Sequence, residues 1–300
     1  VACCAREALF SEVEVLGIVV PVAAVAPATT SSRPVAVIPF VRNDKLMMVK
    51  LRVGSSRPLW FTVDSGARHS VLDPVTAKTL HLRLGAAGTT TGTGKGAVPL
   101  VHAEPVTLVA GSARVRVAAP MVIDLSRVPL PKPSAGLLGA ELFEQYIVQI
   151  DYGGREIRLF DRSARFATDA LASVPLRVRK HAFYVPVTVV AGGTAHALDV
   201  RIDLGSGDSV SSPLVKLSRE QRPTTLGAGL GRDFQGVSGV YDSVSLGPYR
   251  IEHVWAPWSE TPMIGMEIFR RFVTTFDVAH GRLYLEPTAA LAAPVPSPAP

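Results

Sequence analysis

Two acidic residues in this chain stand where a carboxyl group cannot remain a passive surface charge. The apolar, β-favouring run Trp60-Phe61-Thr62-Val63 stops on Asp64-Ser65-Gly66-Ala67, and the run Val200-Arg201-Ile202 stops in the same way on Asp203-Leu204-Gly205-Ser206. A carboxylate at the end of a buried strand is expensive to leave unpaired, so each must be hydrogen-bonded or share its charge with another group. That is a setting for taking up and giving back a proton.

The two acids are copies of one another. With Asp64 set against Asp203, Gly66 falls on Gly205, Ser70 on Ser209, Val71 on Val210 and Pro74 on Pro213. A second block repeats downstream: Leu137-Leu138-Gly139-Ala140-Glu141-Leu142-Phe143 matches Met263-Ile264-Gly265-Met266-Glu267-Ile268-Phe269, and Asp151 and Asp277 follow each copy at the same spacing. One ancestral unit, doubled, accounts for both blocks.

These residues resemble the two-lobed and retroviral-type aspartic proteases, whose lobes each carry a strand ending in Asp-[Thr/Ser]-Gly and a later apolar-apolar-Gly block packed beside it. Asp64-Ser65-Gly66 with Leu137-Leu138-Gly139 fits that pattern fully; Asp203-Leu204-Gly205 with Met263-Ile264-Gly265 fits except at Leu204. The resemblance spans roughly residues 36–287 and is closest to bacterial proteins with two retropepsin-like units in one chain. It implies an all-β chain of two homologous acid-protease β-barrel lobes with short helices and a central cleft. It also implies an aspartic endopeptidase, free of metal and cofactor, in which Asp64 and Asp203 share one proton, one acting as base toward water and the other as acid toward the peptide carbonyl. Gly66 and Gly205 then allow the tight turns, and Ser65 donates its hydroxyl across the lobe interface. Leu204 cannot do the same. Either Ser206 compensates or Asp203 is held loosely, which leaves a weakened or inactive peptide-binding relative as the alternative. A further alternative pairs Asp64 lobes between two chains of a homodimer, although a monomer is the expectation. Ala67 stands where a hydroxyl would favour the ionised carboxylate, which points toward activity nearer neutrality.

The elements that must hold these acids are short strands and turns. Residues 46–53 and 59–63 read as a hairpin turned at Gly54-Ser55-Ser56 that delivers Asp64 to its tip. Asp73-Pro74 reads as a helix cap and first turn, and Ser212-Pro213 repeats it. The segment 84–96 ends Thr91-Gly92-Thr93-Gly94-Lys95-Gly96; Thr89 stands where a phosphate loop needs its first Gly and no Ser or Thr follows Lys95, so a flap over bound peptide is the better reading. Gly92 and Gly94 are its candidate residues. Gly227-Ala228-Gly229-Leu230-Gly231 lacks the last glycine of a dinucleotide fingerprint and reads as a second flap, with Gly229 and Gly231 as candidates.

Apolar side chains make up 47% of the 300 residues and charged ones 19%, enough for two moderate cores. The expected division is a leader at 1–34, a first lobe at 35–165, a second at 166–287 and a disordered Ala/Pro tail at 288–300. The formal charge is +6, but the arginines form no stripe, which argues against a nucleic-acid partner. A peptide or protein substrate is expected instead. Cys3 and Cys4 are the only cysteines, so disulfides do not staple the lobes. The apolar run 15–26 has signal-peptide length and is too short, and too broken by Pro21, for a stable membrane span. Export to the periplasm or medium is the expectation. Glu7, Glu12 and Glu14 before it argue the other way, toward a cytoplasmic protein. The histidines are dispersed, without metal-ligand spacing. His69 reads as a surface or loop-packing residue, and Trp60, Trp255 and Trp258 as core or rim aromatics.

Overall fold

The computed structural model describes residues 32–43, 45–166, 171–227 and 229–297. The chain is mainly β, with a few helices of six residues or fewer. The expected leader lies outside the described residues except at 32–34. Among the described residues no helix is long and apolar enough to cross a membrane.

The first lobe begins with three antiparallel strands, Ala36–Asn43, Leu46–Val53 and Leu59–Val63. The last carries Phe61, Thr62 and Val63 fully out of solvent and ends on Asp64. After the turn come Val71–Leu72 and the helix Pro74–Thr79, whose cap Asp73 accepts from the Val75 N–H at 2.9 Å. Gly136–Leu138 then returns parallel to Leu59–Val63 and antiparallel to Val71–Leu72, lying between the two arms of the Asp64 turn. Leu137 stands opposite Thr62.

The second lobe repeats this register. Met263–Gly265 runs parallel to Thr194–Asp203, with Met263 opposite Arg201, and antiparallel to Val210–Ser211. Ser212 caps the 3₁₀ helix Pro213–Leu217 by accepting from the Leu214 N–H at 3.1 Å. The short helices into which the blocks run, Glu141–Gln145 and Met266–Phe269, carry Phe143 and Phe269 into one aromatic cluster. Phe276 joins them, its ring 5.3 Å from Phe143 and 5.7 Å from Phe269. The last residue of each repeated block thus packs at the seam between lobes.

A sheet closes that seam. Ile147–Asp151 pairs with Glu156–Phe160 on one side and with Phe272–Asp277 of the other lobe on the second, Val148 facing Phe276. Arg282–Pro287 and Ala172–Pro175 extend it. Their β-branched and aromatic residues mark these segments as strands, but they carry no mark of the partner.

The Ala/Pro segment 288–300, expected to be disordered, is docked through residue 297. Ala289–Ala292 form a 3₁₀ turn capped by Thr288, and Val295 is buried. The cause is Arg271, which is fully buried and donates to the carbonyls of Ala290 at 3.2 Å, Leu291 at 3.0 Å and Ala293, as well as to Glu267 Oε1 at 2.8 Å. A buried guanidinium needs that many acceptors, and the tail supplies most of them.

Candidate active site

Each acid sits in a turn built by the glycines around it. Asp64 Oδ1 accepts from the Gly66 N–H at 2.9 Å and the Ala67 N–H at 3.1 Å; Asp203 Oδ1 accepts from the Gly205 N–H at 3.0 Å. The glycines of the later blocks lie against these turns. A Cβ on Gly139 would come within 2.7 Å of the His69 carbonyl carbon, and one on Gly265 within 2.5 Å of the Asp208 carbonyl oxygen. The Ala140 N–H donates to the Ala67 carbonyl and the Met266 N–H to the Ser206 carbonyl, both at 2.9 Å. Apolar-apolar-Gly is therefore a steric requirement in both lobes: two side chains for the core and then bare backbone.

The two turns meet. A Cβ on Gly66 would lie 2.5 Å from Asp203 Cγ, and one on Gly205 would lie 2.4 Å from Asp64 Cγ. Each glycine packs on the other lobe's carboxylate, so the two acids face one another across a pseudo-twofold. Burial pushes the Asp64 carboxyl up to about 7, helped by the charge of Asp203 and opposed by the Ala67 and Gly66 N–H groups. Burial also raises Asp203, with the Arg201 guanidinium as the strongest opposing influence. Like charges this close resist ionising together.

The support across the interface is one-sided. The Ser65 hydroxyl, buried, donates to the Ile202 carbonyl at 3.4 Å and accepts from the Leu204 N–H at 3.0 Å. Leu204 is fully buried and has no hydroxyl to return. Ser206 does not replace it, because its hydroxyl donates to Asp208 Oδ2 at 3.1 Å and accepts from the Asp208 N–H at 3.2 Å.

The acids form the floor of a cleft of about 1480 Å³ between the lobes, and both glycine-rich hairpins line it. Leu84–Thr91 pairs with Ala97–Ala103, and Gln221–Leu226 with Phe234–Leu246. Their tips join by backbone bonds of 2.9 Å, Gly94 N–H to the Leu230 carbonyl and Lys95 and Arg232 to each other in both directions. The four glycines of these tips make the contact possible: a Cβ on Gly92 would fall 2.6 Å from Leu230 Cβ, one on Gly94 2.8 Å from the Gly231 carbonyl carbon, and one on Gly229 2.2 Å from Thr93 Oγ1. Gly231, at φ +108°, would place a Cβ 2.6 Å from the Gly94 carbonyl carbon. Gly231→Ala is accordingly expected to part the tips. Hydrogen exchange at the Lys95 and Arg232 amides would rise at least about tenfold while core amides stay protected; unchanged exchange there would show that the tips tolerate a methyl group.

Trp255 and Trp258 line the cleft and carry Arg222 and Lys216 over their rings at 4.5 and 5.3 Å. His69 lies at the cleft edge, 3.4 Å from Glu141 and stacked at a tilt on His181. Sequence reasoning gave no role to Arg201, whose Nη2 lies 3.8 Å from Asp203 Oδ2. Its signal was available: residues two apart on a strand share a face, and here the second of the pair is the acid.

Residues 49–142, from the second strand through Asp64, the first glycine-rich hairpin and Gly139, match the model of a family described as aspartyl protease. No curated protein matches the chain by sequence. Among solved structures, basic 7S globulin from soybean is similar, with a TM-score of 0.51 at 12% identity over 86% of this chain and 97% of that chain. At that identity the likeness concerns the fold, a mainly-β, pepsin-like arrangement of two lobes.

Proposed function

We propose that, with an aspartyl protease segment as its first lobe, this protein is an aspartic endopeptidase whose carboxylate pair is Asp64 and Asp203. The observation that carries this reading is the crossed packing of Gly66 on Asp203 and Gly205 on Asp64, which puts the buried Asp203 and the half-buried Asp64 face to face in a cleft lined by two hairpins. One acid is ionised and takes a proton from water as the water oxygen bonds to the peptide carbonyl carbon. The other gives its proton to the carbonyl oxygen. In the tetrahedral diol so formed the C–N bond breaks, the first acid's new proton passes to the departing nitrogen, and a diol proton returns to the second acid. Both carboxyl groups end as they began. The Gly92–Gly94 and Gly229–Gly231 tips sit where they can cover an extended peptide and pair with its backbone.

Because Asp64 finds its partner within the same chain, this reading is favoured over the pairing of Asp64 lobes between two chains. A second reading, a peptide-binding protein that does not cut, is favoured by one observation: Leu204 returns no hydroxyl to the first lobe. Cleavage of a mixed peptide library between pH 3 and 8 separates the two. The expected profile is a bell whose alkaline limb lies near 7, where Asp64 loses the proton that it must donate. Binding of labelled peptide without turnover at any pH would replace the first reading with the second.

A further inference from the structure

The pair is chemically lopsided, and the cause lies on the strand Thr194–Asp203. Arg201 precedes Asp203 by two positions and shares its face; the matching position in the first lobe is Thr62, fully buried and uncharged. A cation therefore stands on one side of the pseudo-twofold only. In each acid Oδ1 accepts from the backbone, Asp64 from the Gly66 and Ala67 N–H groups and Asp203 from the Gly205 N–H. The residue three past Asp64 is Ala67, with no hydroxyl, and the one three past Asp203 is Ser206, whose hydroxyl is turned to Asp208. What stands beside Asp203 Oδ2 is the guanidinium of Arg201, at 3.8 Å.

Arg201 is not consumed by a structural network. Its side chain is 20% exposed, its Nε is buried without a partner, and its Nη2 donates to the soft Met263 sulfur at 3.1 Å. The contrast is Arg271, whose donors are saturated by carbonyls and by Glu267. An arginine kept in a cleft with donors unspent, one turn of side chain from an acid, is placed for its charge and for a contact completed during reaction.

We propose that Arg201 is a positioning residue that makes the dyad directional, holding Asp203 as the ionised base toward water and leaving Asp64 as the proton-bearing acid toward the carbonyl. This rests on the endopeptidase reading. Burial raises both acids, but the opposing influence of Arg201 ranks first at Asp203 and last at Asp64. The other charged groups around the pair do not reproduce that bias. Asp208, beside Ser206, meets Asp203 as a like charge and Lys45, whose side chain packs on Gly207, as an opposite one, and so opposes the bias; Glu267 is held by Arg270 and Arg271.

Two measurements test this, one without turnover. Carboxyl-carbon NMR of the ¹³C-labelled protein, with Asp64→Asn and Asp203→Asn to assign the signals, gives the order of titration; Asp203 is expected to ionise first in wild type. Arg201→Gln is expected to raise the Asp203 titration by about one pH unit or more, and that of Asp64 by less. In peptide cleavage the acid limb of the profile would move up by the same amount, with kcat falling more at pH 5 than at pH 7, KM nearly unchanged and Arg201→Lys intermediate. Asp64 ionising first in wild type, or unmoved limbs with a tenfold rise in KM, would overturn the assignment and make Arg201 a substrate contact instead. If no peptide is cut by wild type, the endopeptidase reading falls, and the NMR order alone decides the role of Arg201. Should Arg201→Gln fail to fold, the wild-type order and the Arg201→Lys shift decide it.

Discussion

Asp64→Asn is expected to fold, to hydrolyse peptides on the order of 10³-fold more slowly than wild type or not at all, and to be the more stable protein at neutral pH. The loss follows from the chemistry: an amide at 64 still accepts from the Gly66 and Ala67 N–H groups but has no acidic proton to donate. The gain follows from linkage. A carboxyl whose proton is held more tightly in the folded chain, here up to about 7, stabilises the fold below the unfolded value of about 3.9. That contribution is lost as pH rises through the folded value. Asparagine cannot ionise, so the stability of the variant relative to wild type climbs between about pH 4 and pH 7. Urea denaturation at several pH values reads this without a substrate. Retained cleavage by a folded Asp64→Asn protein would remove Asp64 from the chemistry, and a pH-independent difference in stability would mean that its carboxyl is not held protonated by the fold.

The second large effect is on stability alone. Arg271→Met is expected to destabilise the protein by about 3–5 kcal/mol, because it takes from the buried Glu267 carboxylate its fully buried partner and leaves the tail carbonyls of Ala290, Leu291 and Ala293 without their donor. Arg270, 21% exposed and bound to the same Glu267, provides the control: its loss leaves the Arg271 pair in place and is expected to cost about 1 kcal/mol or less. The Arg271 variant would also release the segment 289–297, which limited proteolysis reports as early cleavage after Thr288. A denaturation midpoint like that of Arg270→Met would show that the buried pair does not hold the tail.

Much of the site is legible in the sequence, for steric reasons. Only glycine fits where Gly66 and Gly205 pack on the opposite carboxylates, or where Gly139 and Gly265 pack on the acid-bearing turns, so the spacing of small and apolar residues states the geometry of both lobes. The caps at Asp73 and Ser212 are readable because a side-chain oxygen before proline has one local use. The features missed are those that depend on distant partners. Gly94 and Gly231 read as residues of two separate flaps; nothing near them in the chain says that their backbones touch. Arg271 carries no mark in the sequence that sets it apart from Arg270, and only the folded tail distinguishes them. The missing hydroxyl at 204 is plain in the sequence, but that Ser206 has already turned its own to Asp208 is not.

The strand Ile147–Asp151, paired on its far side with Phe272–Asp277, has a consequence in mass action. A half-molecule ending near residue 166 would present that strand, with Val148 and Ile150 on it, as an open edge, a template for any other chain. Two such halves on separate chains would find each other only at a rate set by their concentration. Joined in one polypeptide, each half meets the other at a fixed effective concentration, of millimolar order for a short linker. Assembly of the paired acids is thereby made independent of dilution, however little of the protein is present.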